Sequence, residues 1–191
     1  MTQIGYYFNM KACVGCRTCM IACKDKNRLD VGVMFRVVDS YSLGTYPSVK
    51  AYHYSSSCNH CQTPLCVVSC AAGAIKKEDD GAVIIDTISC IACGECIKAC
   101  PYSVPKVIDS SGVVSKCDSC VVRREKGENP VCVDACPLRA LDFGDLDDLK
   151  AKYGKDLVST IAPLPTSSTL PSILINQKSF ATDPGYKWMY L

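Results

Sequence analysis

Strong net charge, histidine and long hydrophobic runs are all scarce in this chain of 191 residues. The chain has 21 Lys and Arg residues and 19 Asp and Glu residues, which gives a net charge of +2. Such a small net charge argues against nucleic acid as a partner. The longest apolar stretch, residues 157–175, is interrupted by three prolines, so the sequence predicts no membrane-spanning helix. The two histidines, His53 and His60, are too few and too isolated to suggest a haem held by a histidine pair.

Cysteine, by contrast, is abundant: the chain has 16, and they divide into four groups of four with none left over. The first and third groups have the spacing C-x2-C-x2-C-x3-C of cluster-binding ferredoxins, and the other two lengthen its middle. Three thiolates in one short loop can hold three irons of a cubane while backbone N–H groups face its sulfides. Four complete groups therefore predict four 4Fe–4S clusters and a protein that carries electrons. Group one is Cys13, Cys16, Cys19 and Cys23; group two is Cys58, Cys61, Cys66 and Cys70; group three is Cys90, Cys93, Cys96 and Cys100; group four is Cys117, Cys120, Cys132 and Cys136.

Disulfides and structural zinc are the other common uses of clustered cysteines. A disulfide framework belongs to oxidising compartments, and here the cysteines are crowded into short loops with little freedom to pair elsewhere. Zinc sites usually combine two C-x2-C pairs across a longer stretch, which only group four, with eleven residues between Cys120 and Cys132, approaches. A zinc scaffold that binds partners therefore stays open as an alternative of a different class. A Cys–Pro step closes groups three and four, as it does in ferredoxin motifs.

The segments between the groups predict how the groups pair. Residues 71–76 follow group two and residues 82–86 precede group three, with an Asp-Asp-Gly turn between them, which is typical of a hairpin inside one ferredoxin unit. A similar segment, residues 138–144, follows group four, and a strand-like segment, residues 4–10, precedes group one. Group four therefore behaves as the first half of a second unit and group one as its second half.

This pairing predicts an α+β fold of two nested ferredoxin-like lobes, one inserted in a circularly permuted other. The inner lobe is residues 58–100, the outer lobe is residues 1–57 and 101–150, and residues 151–191 form an extended C-terminal tail for partner docking. Beyond Ile161 the tail is rich in Pro, Ser and Thr and is not expected to build a core of its own. Its aromatic end, 186–191, is expected to wrap a partner subunit, and a disordered tail is the alternative. Residues 141–154 are expected to form a short helix with acids at its start.

In two-cluster ferredoxins the fourth cysteine of each motif ligates the other cluster, so the nesting predicts crossed ligand sets. Four contiguous quartets are the simpler alternative. The first set is Cys13, Cys16, Cys19 and Cys136; the second set is Cys117, Cys120, Cys132 and Cys23; the third set is Cys90, Cys93, Cys96 and Cys70; the fourth set is Cys58, Cys61, Cys66 and Cys100.

The stretches around the ligands are specific to one family. They are residues 13–19, 57–61, 90–93, 99–102, 116–120 and 136–144, with Ala162-Pro-Leu-Pro165 beyond them. On these motifs the chain resembles the four-cluster iron–sulfur subunit of dimethyl sulfoxide reductase and its relatives. Nitrate reductase subunits of that family have a tryptophan where this chain has Cys93, so the resemblance implies a full cubane here.

The resemblance also implies partners. It implies a large catalytic subunit holding molybdopterin guanine dinucleotide with molybdenum or tungsten, and in many members a membrane anchor subunit that exchanges electrons with quinone. It implies a linear cluster order of first, second, third and fourth set. In that order the first set faces the catalytic subunit and the fourth faces the external donor or the membrane partner. A free-standing polyferredoxin is the alternative within electron transfer.

No catalytic residue is predicted on this chain. It has no nucleophile paired with a base, no phosphate-binding glycine loop and no spare ligand for a catalytic metal. Residues 1–10 lack a basic region, an apolar core and a twin-arginine pair, so no signal peptide is expected. The resemblance then implies a peripheral membrane location, reached by export in folded form with a partner that carries a twin-arginine signal. A cytoplasmic location is the alternative.

Several residues near the ligands have an expected supporting role. The cations Arg17, Lys24, Lys98 and Lys116 would raise cluster potentials if they lie close, or else are solvated surface charges. His60, inside the group-two loop, is expected to pack or to donate a hydrogen bond. The four tyrosines between groups one and two are expected to cover the clusters and exclude water; they are Tyr41, Tyr46, Tyr52 and Tyr54.

Cluster ligation should supply much of the folding free energy, as metals do in small metal-dependent domains. We therefore expect about sixteen irons and sixteen acid-labile sulfides per chain, and loss of the cooperative thermal transition once iron is chelated. Metal and sulfide analysis followed by calorimetry checks both. An iron-free chain with an intact transition would contradict this prediction, and about four zinc atoms per chain would favour the zinc scaffold instead.

Overall fold

The computed structural model describes residues 2–189. Met1 lies outside the described residues, as do Tyr190 and Leu191 of the aromatic end. The fold is a mixture of short helices and small sheets, which confirms the predicted α+β class. The α-helices are α1 Thr18–Asn27, α2 Leu65–Val68, α3 Glu95–Ala99, α4 Val121–Arg124, α5 Val131–Asp134 and α6 Leu146–Tyr153. The strands are β1 Ile4–Asn9, β2 Val37–Leu43, β3 Lys50–Ser56, β4 Ile75–Lys77, β5 Val83–Ile85, β6 Lys106–Ile108, β7 Val113–Ser115, β8 Leu141–Asp145, β9 Ile173–Asn176 and β10 Lys187–Met189.

Strand β1 lies at the centre of the main sheet, between β8 and β9. Its aromatic residues favour a strand, and because side chains alternate between the two faces, both faces can be covered. Tyr6 and Phe8 belong to the largest core cluster together with Ile175, while Tyr7 packs on the other face. There Tyr7 stacks on Tyr153 of α6, with ring centroids 3.6 Å apart and planes 2° apart. The strand is therefore buried from both sides.

The remaining sheets are small. Strands β10, β2 and β3 form one antiparallel sheet in that order, and β4–β5 and β6–β7 are separate two-stranded hairpins. Within residues 2–189, none of the helices combines the length and the apolar character required to cross a bilayer.

Both strand pairings expected from the sequence are present. Between groups two and three, β4 pairs antiparallel with β5, with Ile75 opposite Ile85. After group four, β8 pairs antiparallel with β1, with Leu141 opposite Phe8. Group four and group one are therefore adjacent in space although they stand at opposite ends of the cysteine-rich region.

The expected helix over residues 141–154 is correct only for its second part. Leu141–Asp145 is strand β8, and α6 begins at Leu146. The Asp145 side chain caps the helix by accepting a hydrogen bond from the Asp147 N–H at 2.8 Å. The first five residues extend because Leu141 and Phe143 complete the sheet on β1, and this tertiary contact decides their conformation.

The tail packs on the sheets of the rest of the chain. Strand β9 pairs in parallel with β1, and β10 pairs antiparallel with β2. A 3-10 helix, Ser179–Thr182, lies between them and buries Ala181 in the main core. The tail therefore builds no separate core but contributes apolar residues, among them Ile173 and Ile175, to the main one.

The tyrosines of the β2–β3 hairpin differ in their burial. Tyr41, Tyr52 and Tyr54 are buried, in line with a covering role, and Tyr41 and Tyr52 stack with ring centroids 5.2 Å apart. Tyr46 is 92% exposed at the tip of the hairpin, so the expectation that it covers a cluster is wrong. Residues 44–50 around it are exposed as well, so the whole tip is open to solvent.

The tail strand gives a direct test of its structural role. Ile175 is fully buried beside Phe8, so Ile175→Ala should lower the free energy of unfolding by about 2–5 kcal/mol. Leu170→Ala, at a tail position that is 53% exposed, is the matched control and should stay within about 0.5 kcal/mol. Urea unfolding of the cluster-loaded protein under anaerobic conditions measures both. Equal, small effects would mean that the tail is not held on the sheet.

Candidate iron–sulfur centres

All four cysteine groups contain the same backbone turn. The residue just before the second cysteine of each group has a positive φ: Gly15 at 72°, His60 at 41°, Ala92 at 55° and Ser119 at 55°. Residues with a side chain rarely adopt this conformation, and it persists where the surroundings hold it. Such left-handed residues turn successive N–H groups to one side and form a concavity that binds anions. The stretched groups two and four therefore share the loop of groups one and three.

The helices that follow the loops deliver the later cysteines. In groups one and three a left-handed residue, Arg17 or Gly94, precedes the helix, and the third cysteine lies in its first turn. In groups two and four the third cysteine lies on the four-residue helices α2 and α5. The fourth cysteine comes four residues after the third in every group, about one helical turn onward. Each helix thus separates the last thiol from the other three.

Two of the predicted sets each line one cavity. Cys70 of group two joins Cys90, Cys93 and Cys96 around one cavity. Burial raises the pKa of Cys96, and the three other thiols of this cavity raise it further. The second cavity has four thiols in its lining, and these are Cys13, Cys16, Cys19 and Cys136.

The thiols of the other two sets are also neighbours. Burial raises the pKa of Cys61 to about 11. A hydrogen bond from Thr169 lowers this pKa, whereas the neighbouring thiols of Cys58 and Cys100 raise it. Burial likewise raises the pKa of Cys23 to about 12, with contributions in the same direction from Cys132 and Cys120. These shifts mean that buried thiols of one set oppose each other's ionisation.

The thiols around each of these two cavities fit a cubane cluster. Four thiols spread around one space provide one ligand for each iron corner of a cubane. A positive core at the centre also relieves the repulsion between the thiolates.

Three of the cations expected near ligands have very different surroundings. Lys116 is only 4% exposed, and its ammonium group donates to the carbonyl oxygens of Val83 and Cys117. Lys98 lies on the surface, 2.7 Å from a Glu95 carboxylate oxygen. Lys24 donates to backbone carbonyls of the loop after α1, among them Leu29 O at 3.1 Å. Only Lys116 of these three is a buried charge.

Arg36 is a buried cation that sequence reasoning missed. It is 2% exposed and stands thirteen residues after the last cysteine of group one. Nothing in the local sequence distinguishes it from a surface arginine, since no cysteine adjoins it. Only the folded hairpin brings it to the thiols.

His60 packs as expected, but its ring accepts rather than donates. The residue is fully buried, and its Nδ1 accepts a hydrogen bond from the Val83 N–H at 3.0 Å. Burial lowers the pKa of His60 well below its usual value, and Lys116 and Arg124 act in the same direction. The neutral ring therefore ties the group-two loop to β5.

The expected order of the sets, with the third between the second and the fourth, is wrong. Cys58 of the fourth set packs with Cys23 and Cys117 of the second set around Phe35. Cys66 of the fourth set packs beside Cys96 of the third. The fourth set thus lies in the interior, between the second and the third.

The two ends of this series are the accessible ones. Cys16 of the first set and Cys93 of the third set are exposed, whereas all four thiols of the second set are buried. Cys19 of the first set lies in the same core cluster as Cys132 of the second. The spatial order is therefore first, second, fourth and third, with an open thiol at each end.

Comparison with known proteins agrees with this chemistry. A family model described as a 4Fe-4S dicluster domain matches residues 49–146, and one described as a 4Fe-4S binding domain matches residues 10–30. A chain of the anaerobic dimethyl sulfoxide reductase of Haemophilus influenzae is 42% identical over 195 residues, which cover 97% of this chain and 94% of that protein. The protein belongs to the dimethyl sulfoxide reductase family of iron–sulfur subunits.

Other members of the family show how far it extends. The corresponding chain of the anaerobic dimethyl sulfoxide reductase of Escherichia coli K12 is 40% identical over 199 residues, covering 100% of this chain and 96% of that protein. A subunit of the sulfite dehydrogenase of Allochromatium vinosum is 35% identical over 170 residues, covering 78% of this chain and 71% of that protein. This iron–sulfur subunit is accordingly an electron-transfer chain that binds 4Fe–4S clusters, and catalysis resides in a partner subunit.

Gly15 gives a test of the shared loop in this iron–sulfur subunit. Its φ is 72°, and a Cβ added there would lie 2.6 Å from His53 Nδ1, in a ring that Ser40 holds by a 2.8 Å hydrogen bond. Gly15→Ala therefore combines a left-handed penalty of about 1–2 kcal/mol with a steric clash. We expect iron to fall from about sixteen to about twelve per chain, because one cluster is lost.

The control is Gly94→Ala in the group-three loop. Gly94 has a φ of 75°, but among the described residues no atom lies within 4 Å of its added Cβ. Iron content should stay near that of the wild type, and adding His53→Ala to Gly15→Ala should restore most of the lost iron. If both alanine variants lost iron equally, the contact with His53 would not be the cause.

Proposed function

We propose that this subunit holds four 4Fe–4S clusters in crossed ligand sets and conducts electrons between an external donor and a molybdopterin catalytic subunit. The observation that carries the proposal is the thiol lining of the two cavities, each of which combines three cysteines of one group with one of another. The left-handed turn common to all four groups supports a cluster in each. The proposed ligands are all sixteen cysteines, in the first, second, third and fourth sets as defined above.

The cavity linings favour crossed sets over contiguous quartets. Around the group-one loop the fourth thiol is Cys136, where a contiguous quartet needs Cys23. Around the group-three loop it is Cys70, where a contiguous quartet needs Cys100. Cys23 instead has Cys120 and Cys132 as neighbours. These three observations agree with the crossed-ligand rule of two-cluster ferredoxins.

The chain's own groups fit this cofactor. When bound, each cluster takes up and releases one electron. Thiolates anchor the irons, and the N–H groups of the left-handed turns and the ammonium of Lys116 stabilise negative charge beside them. The buried rings of Tyr41, Tyr52 and Tyr54 reduce contact with water. The protein thereby sets the potentials at which electrons move.

We also propose the nested arrangement of lobes. The hairpin β4–β5 supports an inner lobe over residues 58–100, and the pairing of β8 with β1 supports a permuted outer lobe over residues 1–57 and 101–150. Residues 151–189 extend the outer sheets through β9 and β10. Docking on a partner then falls to the outward side of this tail, where Trp188 is 56% exposed.

The complex follows from the relatives. Near-full-length similarity to single chains of dimethyl sulfoxide reductases favours a bound subunit over a free-standing polyferredoxin. We propose a partner with molybdopterin guanine dinucleotide and molybdenum or tungsten, and a reductase of the dimethyl sulfoxide type. We further propose a quinone-reactive membrane anchor and a peripheral membrane location reached with a twin-arginine partner, with the cytoplasm as the alternative.

The spatial order makes the third set the entry point. With the first set against the catalytic subunit, the exposed Cys93 at the other end is the contact for the external donor. Cys93→Ser should therefore abolish most turnover with the physiological donor and spare turnover with a small artificial donor that reduces the inner clusters. Cys16→Ser should impair both activities. Steady-state assays of the assembled complex with each donor measure the difference.

Two controls accompany these variants. Iron analysis should show that neither variant loses more than about four irons per chain, so that a local defect is being compared. If Cys93→Ser lost artificial-donor turnover while Cys16→Ser kept physiological turnover, the proposed direction through the series would be reversed.

A further inference from the structure

Arg36 is a buried charge at the junction of the first two ligand sets. It directly precedes β2 and is 2% exposed. Its Nη1 donates to Ser55 Oγ at 3.0 Å and to Ser55 O at 3.3 Å, and its Nη2 donates to Ser57 Oγ at 2.9 Å. Its guanidinium carbon lies 4.8 Å from the centre of the Tyr6 ring. The guanidinium is therefore fixed in one orientation.

All of these partners are neutral. In the part of the chain that the structure describes, the ion pairs between basic and acidic side chains do not include Arg36, and its Nε has no hydrogen-bond partner. Burying a guanidinium without a counter-charge is strongly unfavourable. The negative charge that compensates it must come from another kind of group.

Thiols lie near the guanidinium, and Ser55 and Tyr6 connect it to two of them, Cys19 and Cys117. Burial lowers the pKa of Arg36, but Cys132, Tyr6 and Cys19 outweigh this and the pKa is raised. Cys117 acts in the same direction. Cys19 belongs to the first set, and Cys132 and Cys117 to the second. Ligating thiolates of both sets can thus compensate the same cation.

Two side chains that Arg36 holds also point at ligands. Ser55 Oγ accepts from Arg36, which leaves its own O–H to donate to Cys19 Sγ at 3.5 Å. Tyr6, under the guanidinium, has its hydroxyl 3.8 Å from Cys117 Sγ, and a thiolate there can only accept. Hydrogen bonds to ligating sulfur raise the reduction potential of a cluster. Arg36 therefore reaches the first set through Ser55 and the second set through Tyr6.

Other cations act on the other two sets. Burial raises the pKa of Cys66 and of Cys100 in the fourth set, and the nearby Lys116 lowers both. Glu95 raises the pKa of the exposed Lys98, and Cys93 of the third set adds to this. Arg36 is thus the buried cation associated with the first and second sets.

We propose that Arg36 is the counter-charge shared by the clusters of the first and second sets, and that it raises the reduction potentials of both. Positive charge stabilises the reduced, more negative cluster, so each of these clusters would accept an electron more readily than it would without Arg36. Because two neighbouring thiols belong to the second set and one to the first, the second set receives the larger effect. This inference rests on the proposed ligand sets.

The test is potentiometric titration of the full-length, cluster-loaded chain in its complex, followed by low-temperature electron paramagnetic resonance. A cysteine-to-serine variant in each set assigns the signals. Arg36→Met should lower the equilibrium constant for reduction of the second-set cluster at least tenfold, which corresponds to a reduction potential about 59 mV lower for a one-electron couple. The first set should shift less, and the third set less than threefold. Arg36→Lys should recover more than half of each shift.

Two charge controls separate this from a general effect. Lys126→Met removes an exposed cation and should shift no signal by more than twofold. Lys116→Met should act mainly on the fourth set. A uniform shift of all four signals in Arg36→Met, or no shift, would overturn the proposal. So would an Arg36→Lys variant that is fully loaded yet as impaired as Arg36→Met.

Milder variants cover the case in which Arg36→Met fails to take up its clusters. Ser55→Ala should lower the first-set potential alone, and Tyr6→Phe the second-set potential alone. If either variant shifted the potentials of both sets equally, or shifted neither, the proposed contacts through Ser55 and Tyr6 would be contradicted. Wild-type protein with fewer than four resolved signals and well below about sixteen irons would instead contradict the proposed ligand sets.

Discussion

Each candidate centre brings four thiols close together in a place that is at least partly buried, and positive charge between them allows all four to ionise. Burial and the neighbouring thiols both raise the pKa of Cys96, so the polypeptide by itself opposes the ionised state that a metal cluster needs. Iron reverses the balance, because it stabilises the thiolates and joins segments that are far apart in sequence. Helices of four residues such as α2, α4 and α5, and strands of three such as β4, are too short to be stable alone. The fold around the centres depends on ligation more than on the core.

The main sheet, by contrast, is stabilised by the packing of its own side chains. Phe8 and Ile175 are fully buried on one face of β1, and Tyr7 stacks on Tyr153 on the other. Gly5 allows this close assembly, since a Cβ there would meet Ser172 O at 2.5 Å. The main sheet therefore gives a rigid base for the group-one and group-four loops, which adjoin its central strand.

Much of the site follows from the cysteine spacing alone. The spacing predicted the groups, and the hairpin and strand signals predicted that β4 pairs with β5 and β8 with β1. The left-handed turns could not be predicted, because only Gly15 among the four residues is a glycine, and His60, Ala92 and Ser119 carry no local signal of a positive φ. Arg36 could not be predicted either, since its role arises from residues distant in sequence. The spatial order of the sets was mispredicted because it depends on the packing of Cys58 with Cys23 and Cys117 around Phe35, and no local pattern encodes that.

The parallel pairing of β9 with β1 has a consequence for biosynthesis. Strand β1 is translated well before its two neighbours, β8 and β9, which follow more than 130 residues later. Until then its aromatic residues and both hydrogen-bonding edges are open to other chains. Hairpin β4–β5, by contrast, closes within eleven residues. We therefore expect a nascent chain of this topology to need a chaperone until β8 and β9 have been made.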